Sequence, residues 1–235
     1  MKKVALCIHD LRASDGEKTV ETIKSVREFF KSGPLTIHLI LDLDISDDDE
    51  TFRYLKKEVD NKQLEIVFHG VTHLCPVGTG KLFSWYHKYQ AEFIGNTFQA
   101  DINKLRYNKL NKILQIRTGI CPPCWIAIPA GWRFIKSLSP LYIEKLLSIN
   151  YKRKRSFSLP VSLASDNKRE LYFLKILASL ISTTAILFNH KRLRLVVHTI
   201  DISNIDSMTF FRHKYNSLIS KGFSPVLQNE LVSTD

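Results

Sequence analysis

Cysteine is scarce. Cys7, Cys75, Cys121 and Cys124 are the four in 235 residues, too few for a disulfide scaffold. A chain this long buries enough surface to fold without disulfides or a structural metal. An internal repeat, a low-complexity tract and a linker are all lacking, so one domain over residues 1–235 is expected. After Met1-Lys2-Lys3 the apolar run stops at His9-Asp10. That is too short for the core of a signal peptide, and a reducing cytoplasm is the expected setting. No glycine-rich phosphate loop, zinc-finger spacing or nucleic-acid motif is present, so nucleic acid is not an expected partner. The segment from Leu171 to Phe188 is apolar, but it carries Lys175 and falls short of a typical membrane span. It reads as a mostly buried helix, with contact to a membrane surface as the alternative.

What is abundant is positive charge. Lysine and arginine number 34 against 23 acids, a formal net charge of +11. Such an excess favours an acidic partner, whether nucleic acid, an anionic membrane or an anionic glycan, without choosing among them. At 44% hydrophobic and 24% charged residues, the composition is that of a globular protein and excludes a disordered chain.

Patterning alternates between strand and helix. Val4 to Ile8, Leu35 to Leu41 and Leu64 to Phe68 are compact apolar runs suited to strands buried on both faces. Between the first two, Val20, Ile23, Val26 and Phe30 recur at helical spacing over Glu17 to Phe30, and Gly33-Pro34 closes the helix. Asp47-Asp48-Asp49-Glu50 places acid where the next helix begins. Further on, helices are expected over Thr97 to Leu114, Lys168 to Phe188 and Ile205 to Ile219. Strands are expected over Gln115 to Ile120, Leu141 to Ile149, Phe157 to Leu163 and Leu193 to Val197. This order argues for a parallel sheet or barrel of β/α units.

In such architectures the C-terminal ends of strands gather on one face. Three polar clusters fall there: His9-Asp10, His69 with His73, and His198. Two histidines four apart, with Gly70 permitting a bend between them, can converge on one cation. Asp10 is the natural third ligand, which leaves a position for water. The alternative is that these histidines cap a strand and a helix.

These residues also carry a resemblance. Ile8-His9-Asp10 and His69-Gly70-Val71-Thr72-His73 resemble the first two motifs of the polysaccharide deacetylases, the NodB-homology barrels of carbohydrate esterase family 4. The branch most alike is domain of unknown function 2334. Pro122-Pro123-Cys124-Trp125 resembles the third motif, a proline-rich groove wall, and Leu195 to Asp201 resembles the last, where a strand delivers a histidine. The resemblance implies an α/β fold, a distorted (β/α) barrel of the glycoside hydrolase/deacetylase type. It implies a divalent metal, usually zinc, on Asp10, His69 and His73, with His198 as the acid. The implied reaction is hydrolysis of an N-acetyl or related acyl group on a sugar, with Pro123 and Trp125 in the substrate groove.

Two departures stand out. His9 occupies the place of the family's acidic base; a neutral imidazole can take a proton, or it can serve as an extra ligand. The family's arginine ahead of the prolines is missing, and Arg117 is a loose candidate. These leave a second reading: a non-catalytic protein holding a glycan or anionic lipid on the same barrel.

Other features read two ways. Cys121 and Cys124 have CxxC spacing, but two intervening prolines favour an extended groove lining over redox work. Cys75 is a ligand or simply packed. Trp85, with Phe83, Tyr86, His87 and Tyr89, forms a sugar platform or a lid, and Trp125 is a better groove candidate than Trp132. Lys152 to Arg155, Lys191, Arg192 and Arg194 form a solvated basic surface or a seat for an anionic, even lipid-linked, carbohydrate.

Overall fold

A computed structural model of the chain describes residues 1–31, 33–73, 92–94, 99–125, 127–151, 154–162 and 191–232. Among these, ten strands form one sheet. They are β1 (Lys2–Arg12), β2 (Leu35–Ile40), β3 (Leu64–Phe68), β4 (Gly119–Ile120), β5 (Ile143–Lys145), β6 (Ser148–Tyr151), β7 (Lys154–Phe157), β8 (Leu159–Ser162), β9 (Arg192–His198) and β10 (Phe223–Pro225). The described helices are α1 (Glu17–Phe30), α2 (Glu50–Asp60), α3 (Ala100–Leu114), α4 (Pro129–Ser137), α5 (Thr199–Ile202) and α6 (Ile205–Ser220).

The strand order is β7-β6-β5-β4-β3-β2-β1-β9-β8, with β10 beside β1. All pairs from β5 round to β8 are parallel; only β5–β6 and β6–β7 are antiparallel. The two ends of this path, β7 and β8, are separated in the chain by Ser158 alone. The sheet must therefore curl until its edges meet. Side chains of β9 span the seam: Arg192 donates to Ser156 Oγ at 2.9 Å and Arg194 to the Ser158 carbonyl at 2.8 Å. The fold is α/β, a distorted and nearly closed barrel.

Strand periodicity of two sorts the side chains into two cores. Val4, Leu6 and Ile8, Leu35, Ile37 and Leu39, and Leu64, Ile66 and Phe68 face outward and pack under α1, α2, α3 and α6. Each such residue stabilises the fold by roughly 1.5–3 kcal/mol through burial. The opposite parity lines the barrel: Ala5, Cys7, Val67, Cys121, Tyr142 and Val196. This interior also holds His38, Glu65, Glu144, Arg194 and Gln228, all buried. Gln228 arrives from the C-terminal segment, which plugs the lower end. Its amide donates to Glu144 Oε2 at 2.6 Å, its backbone N–H to Thr36 Oγ1 at 3.0 Å, and the Asn229 N–H to Glu65 Oε2 at 2.9 Å.

Glu65 gives the interior a pH dependence. Burial pushes its carboxyl up to about 7, against the opposing hydrogen bonds from Asn229, Tyr142 and Thr36. A raised acid holds its proton in the folded state where the unfolded chain has lost it. Its stabilising share is thus complete below about pH 4.5 and lost as pH rises through about 7, on the order of 3 kcal/mol in all. Urea denaturation at pH 5 and pH 8 is expected to show that loss in the wild type and a smaller one in Glu65→Gln. Equal pH slopes in the two proteins would count against it.

Several expectations change in the structure. The helix over Glu17 to Phe30 and the strand over Leu64 to Phe68 stand as read. The expected strand from Gln115 shrinks to Gly119–Ile120, because Gln115 takes a left-handed φ of 56° as the cap of α3. The stretch from Leu141 to Ile149 is two strands, since the chain reverses at Leu146-Leu147. Of the stretch from Phe157 to Leu163, Phe157 ends β7, Leu159–Ser162 is β8, and Leu163 lies outside the described residues. Helix α4, opened by Pro129 at its first position, and β10 were not anticipated. Arg194 is no surface cation: with Leu193 and Leu195 facing the helices, parity turns it into the barrel, where it is fully buried. The expected helix over 168–188 and most of the aromatic segment over 83–95 lie outside the described residues. Among the described residues, no helix is long and apolar enough to cross a membrane.

Candidate metal centre

Strand β1 carries an irregularity where its polar residues begin. Ile8 pairs with Ile37 and Leu11 with Leu39, three steps against two, so β1 holds one extra residue. Asp10 sits there with φ of 66°, a conformation that aspartate tolerates better than most residues. A bulge of this kind re-aims side chains beside functional sites. His9 turns into the barrel, against His38 and Trp125, and Asp10 turns towards His69 and His73.

His69 follows β3 directly. Gly70, with φ of 88°, and His73, with φ of 54°, fold the next turn back over it. Three donor atoms then converge. Asp10 Oδ1 lies 3.3 Å from His69 Nε2 and 3.1 Å from His73 Nε2, and the two nitrogens are 3.2 Å apart. Ligands held about 2.0–2.1 Å from a tetrahedral cation stand about 3.3–3.4 Å from one another. Imidazoles sharing such a cation have ring centres about 5 Å apart, and those of His69 and His73 are 5.0 Å apart. The His69 Nδ1 lies 2.7 Å from the Cys121 carbonyl. Donation to that oxygen leaves Nε2 as the lone-pair atom, the arrangement that orients ligating histidines. Burial pushes the His69 imidazole down to about 4, outweighing the charge of Asp10 beside it. Asp10 goes the other way: against burial, the adjoining His69 and His73 hold its carboxyl well below the usual range. The residues present fit a divalent cation.

A second group, His9, His38 and Glu144, also has donor atoms within 4.8 Å of one another. It suits a cation less well. The ring centres of His9 and His38 are only 3.6 Å apart, too close for both to bind one tetrahedral ion. Glu144 is already fully engaged. Its Oε1 accepts from Arg194 and, at 2.9 Å, from Trp125 Nε1; its Oε2 accepts from Gln228 at 2.6 Å and pairs with His38 Nε2 at 2.6 Å. This group is a charged pillar under the centre. Burial, then the neighbouring His38, holds His9 well below the usual imidazole range, and its Nε2 has no partner among the described residues. A donor atom of His9 lies within 4.8 Å of those of Asp10 and His69.

His198 closes the other side, at the end of β9, paired in register with His9. Its Nδ1 lies 3.5 Å from Asp201, whose carboxylate also accepts the His198 backbone N–H at 2.9 Å. Burial pushes this imidazole down, but Asp201 and the charge of Asp10 outweigh it and hold it above its ordinary value. Beside Asp10 opens a cavity of about 320 Å³, lined by Arg12, Lys18, Thr22, Thr199 and Ser203.

The remaining expectations divide. Trp125 is half-buried over His9, and Pro123 is buried against Gly70. Trp132 packs in α4 against the outer core. Cys121 is fully buried in the barrel rather than lining a groove, and burial, with Glu144 beside it, raises its thiol well above the usual range. Arg117 is exposed ahead of β4, at the strand's entry end and away from the site; the guanidinium inside the barrel is Arg194. Trp85 and Cys75 lie outside the described residues. Unforeseen were His38, Glu144 and Glu92. The signal for His38 is a polar residue in mid-strand between Ile37 and Leu39; Glu144, next to Lys145, carries no such signal.

No family's sequence model matches the chain, and neither does any curated protein. Among solved structures it is similar to the 4-alpha-glucanotransferase of Thermococcus litoralis, at 10% identity and a TM-score of 0.49, over 100% of this chain and 41% of that one. It is also similar to a truncated 3-deoxy-D-arabino-heptulosonate 7-phosphate synthase of Thermotoga maritima, at 11% identity and a TM-score of 0.41, over 93% of this chain and 86% of that one. The chain thus spans less than half the length of the glucanotransferase.

Proposed function

We propose that this chain is a metal-dependent hydrolase of the polysaccharide deacetylase type, which removes an N-acetyl or related acyl group from a sugar. The observation that carries this reading is the 3.1–3.3 Å mutual spacing of Asp10, His69 and His73 donors. Those residues would hold a divalent cation, most readily Zn²⁺. When bound, it supplies Lewis acidity, which makes water nucleophilic near neutral pH and polarises an acyl carbonyl. Water adds to the carbonyl carbon and the C–N bond breaks, giving a carboxylate and an amine. His9, kept neutral by burial, accepts the proton from water; His198, whose hold on its proton Asp201 and Asp10 strengthen, donates one to the leaving nitrogen. The sugar occupies the cavity beside Asp10, where Lys18, Thr22, Thr199 and Ser203 offer polar groups to its hydroxyls.

Elemental analysis and acetate release on a panel of N-acetylated sugars test this. One zinc per chain is expected, lost in both His69→Ala and His73→Ala together with hydrolysis. Unchanged metal content in His69→Ala would defeat the site. Metal without acetate release across the panel would favour the alternative, a glycan- or anionic-lipid-binding protein on the same barrel.

A further inference from the structure

Glu92 lies on a short turn (Glu92–Ile94) that faces the candidate centre from outside the barrel strands, and it is 2% exposed. Its Oε2 accepts three successive backbone N–H groups, from Val71, Thr72 and His73, at 2.9, 3.0 and 3.1 Å. Its Oε1 accepts from the Asn103 amide of α3 at 2.6 Å. Three N–H groups converging on one point form a nest for an anion, and here the chain fills its nest with its own side chain. Space for it is made by Gly70: a Cβ at that position would stand 2.3 Å from Glu92 Oε2. The turn so clamped is the one that holds His73 at positive φ, a conformation that costs energy unless the surroundings impose it.

We propose that Glu92 is a positioning residue for the metal centre. It acts through the backbone of residues 71–73 and sets the place of His73 Nε2 against Asp10 and His69. Asn103 steadies Glu92 from α3, so a helix with no ligand of its own helps fix the ligand geometry. This inference rests on the metal reading above. It adds a residue that touches neither cation nor substrate, and a dependence of metal affinity on a hydrogen-bonded turn.

The probe is Co²⁺ alone, titrated into the full chain and followed by visible absorption, in wild type, Glu92→Ala, Glu92→Gln, His73→Ala and the two Glu92/His73 double variants. Glu92→Ala is expected to weaken Co²⁺ binding roughly 10–100-fold, the usual cost of removing a partner that orients a ligand. The absorption should also change as His73 leaves the ion. Glu92→Gln should lose less, because one oxygen remains for the three N–H groups. It should also fold, since Asn103 Oδ1, which has no partner among the described residues, can turn to accept the new amide in exchange for the bond from Asn103 Nδ2 to the Gln99 carbonyl. In the His73→Ala background, where the ion no longer stays bound through purification and is titrated at the higher Co²⁺ concentrations that the remaining ligands require, either Glu92 change should have no further effect on affinity. An equal loss with and without His73 would show general destabilisation and overturn the inference, as would no loss in Glu92→Ala or, should that variant not fold, none in Glu92→Gln. Both of those leave the metal reading standing. Failure of the wild type to bind Co²⁺ at all overturns both.

Discussion

Replacing Arg194 by alanine is expected to destabilise the protein by roughly 3–5 kcal/mol, the range for breaking a buried ion pair from one side. The guanidinium is fully buried and binds at four places. One arm pairs with Glu144 Oε1; the other donates to the carbonyls of Lys145, Leu146 and Ser158 at 3.1, 2.5 and 2.8 Å. It therefore ties β9 to the β5–β6 turn and to the link between β7 and β8, where the barrel closes. Without it, Glu144 keeps its charge in the interior and three carbonyls lose their donor. Arg194→Lys retains the charge but not the planar fork, so it should recover only part of the loss. Arg194→Met combined with Glu144→Gln removes both charges and should be less damaging than Arg194→Ala alone. Urea denaturation reads these differences as shifts in midpoint at an unchanged slope. A loss below about 1 kcal/mol for Arg194→Ala would mean that water reaches the pillar, contrary to its burial.

The legibility of this arrangement in the sequence varied with the range of the interaction. Helix α1 was readable because Val20, Ile23, Val26 and Phe30 make one face within a single segment. The start of α2 was readable because its signal is local: Asp49 caps it, accepting from the N–H groups of Thr51 and Phe52. His69, His73 and Asp10 could be singled out by their positions at strand ends. The interior network could not, since His38, Glu144, Arg194 and Gln228 are scattered from β2 to the C-terminal segment and acquire partners only when the barrel closes. The bulge at Asp10 left no mark either, because it is one residue's φ, imposed by pairing with β2. Glu92 was invisible for a related reason: its partners are backbone N–H groups, which have no sequence signature.

Substituting His198 tests the chemistry rather than the scaffold. With His198→Ala, acyl hydrolysis is expected to fall roughly 10²–10⁴-fold, the usual contribution of a positioned acid or base, while the metal content stays that of the wild type. Its side chain is 24% exposed, and Asp201 keeps its hydrogen bond to the backbone N–H of residue 198, so little stability should be lost. The pH profile gives the sharper reading. An acid must hold its proton to act, so activity should fall as pH rises through the elevated His198 value. Because Asp201 and Asp10 produce that elevation against burial, Asp201→Asn should move the alkaline limb to lower pH, with metal still bound. Arrival of the limb at the same pH in both proteins would detach it from His198. Loss of metal in His198→Ala would make the residue a ligand, and the leaving nitrogen would then need another proton donor from the mouth of the barrel.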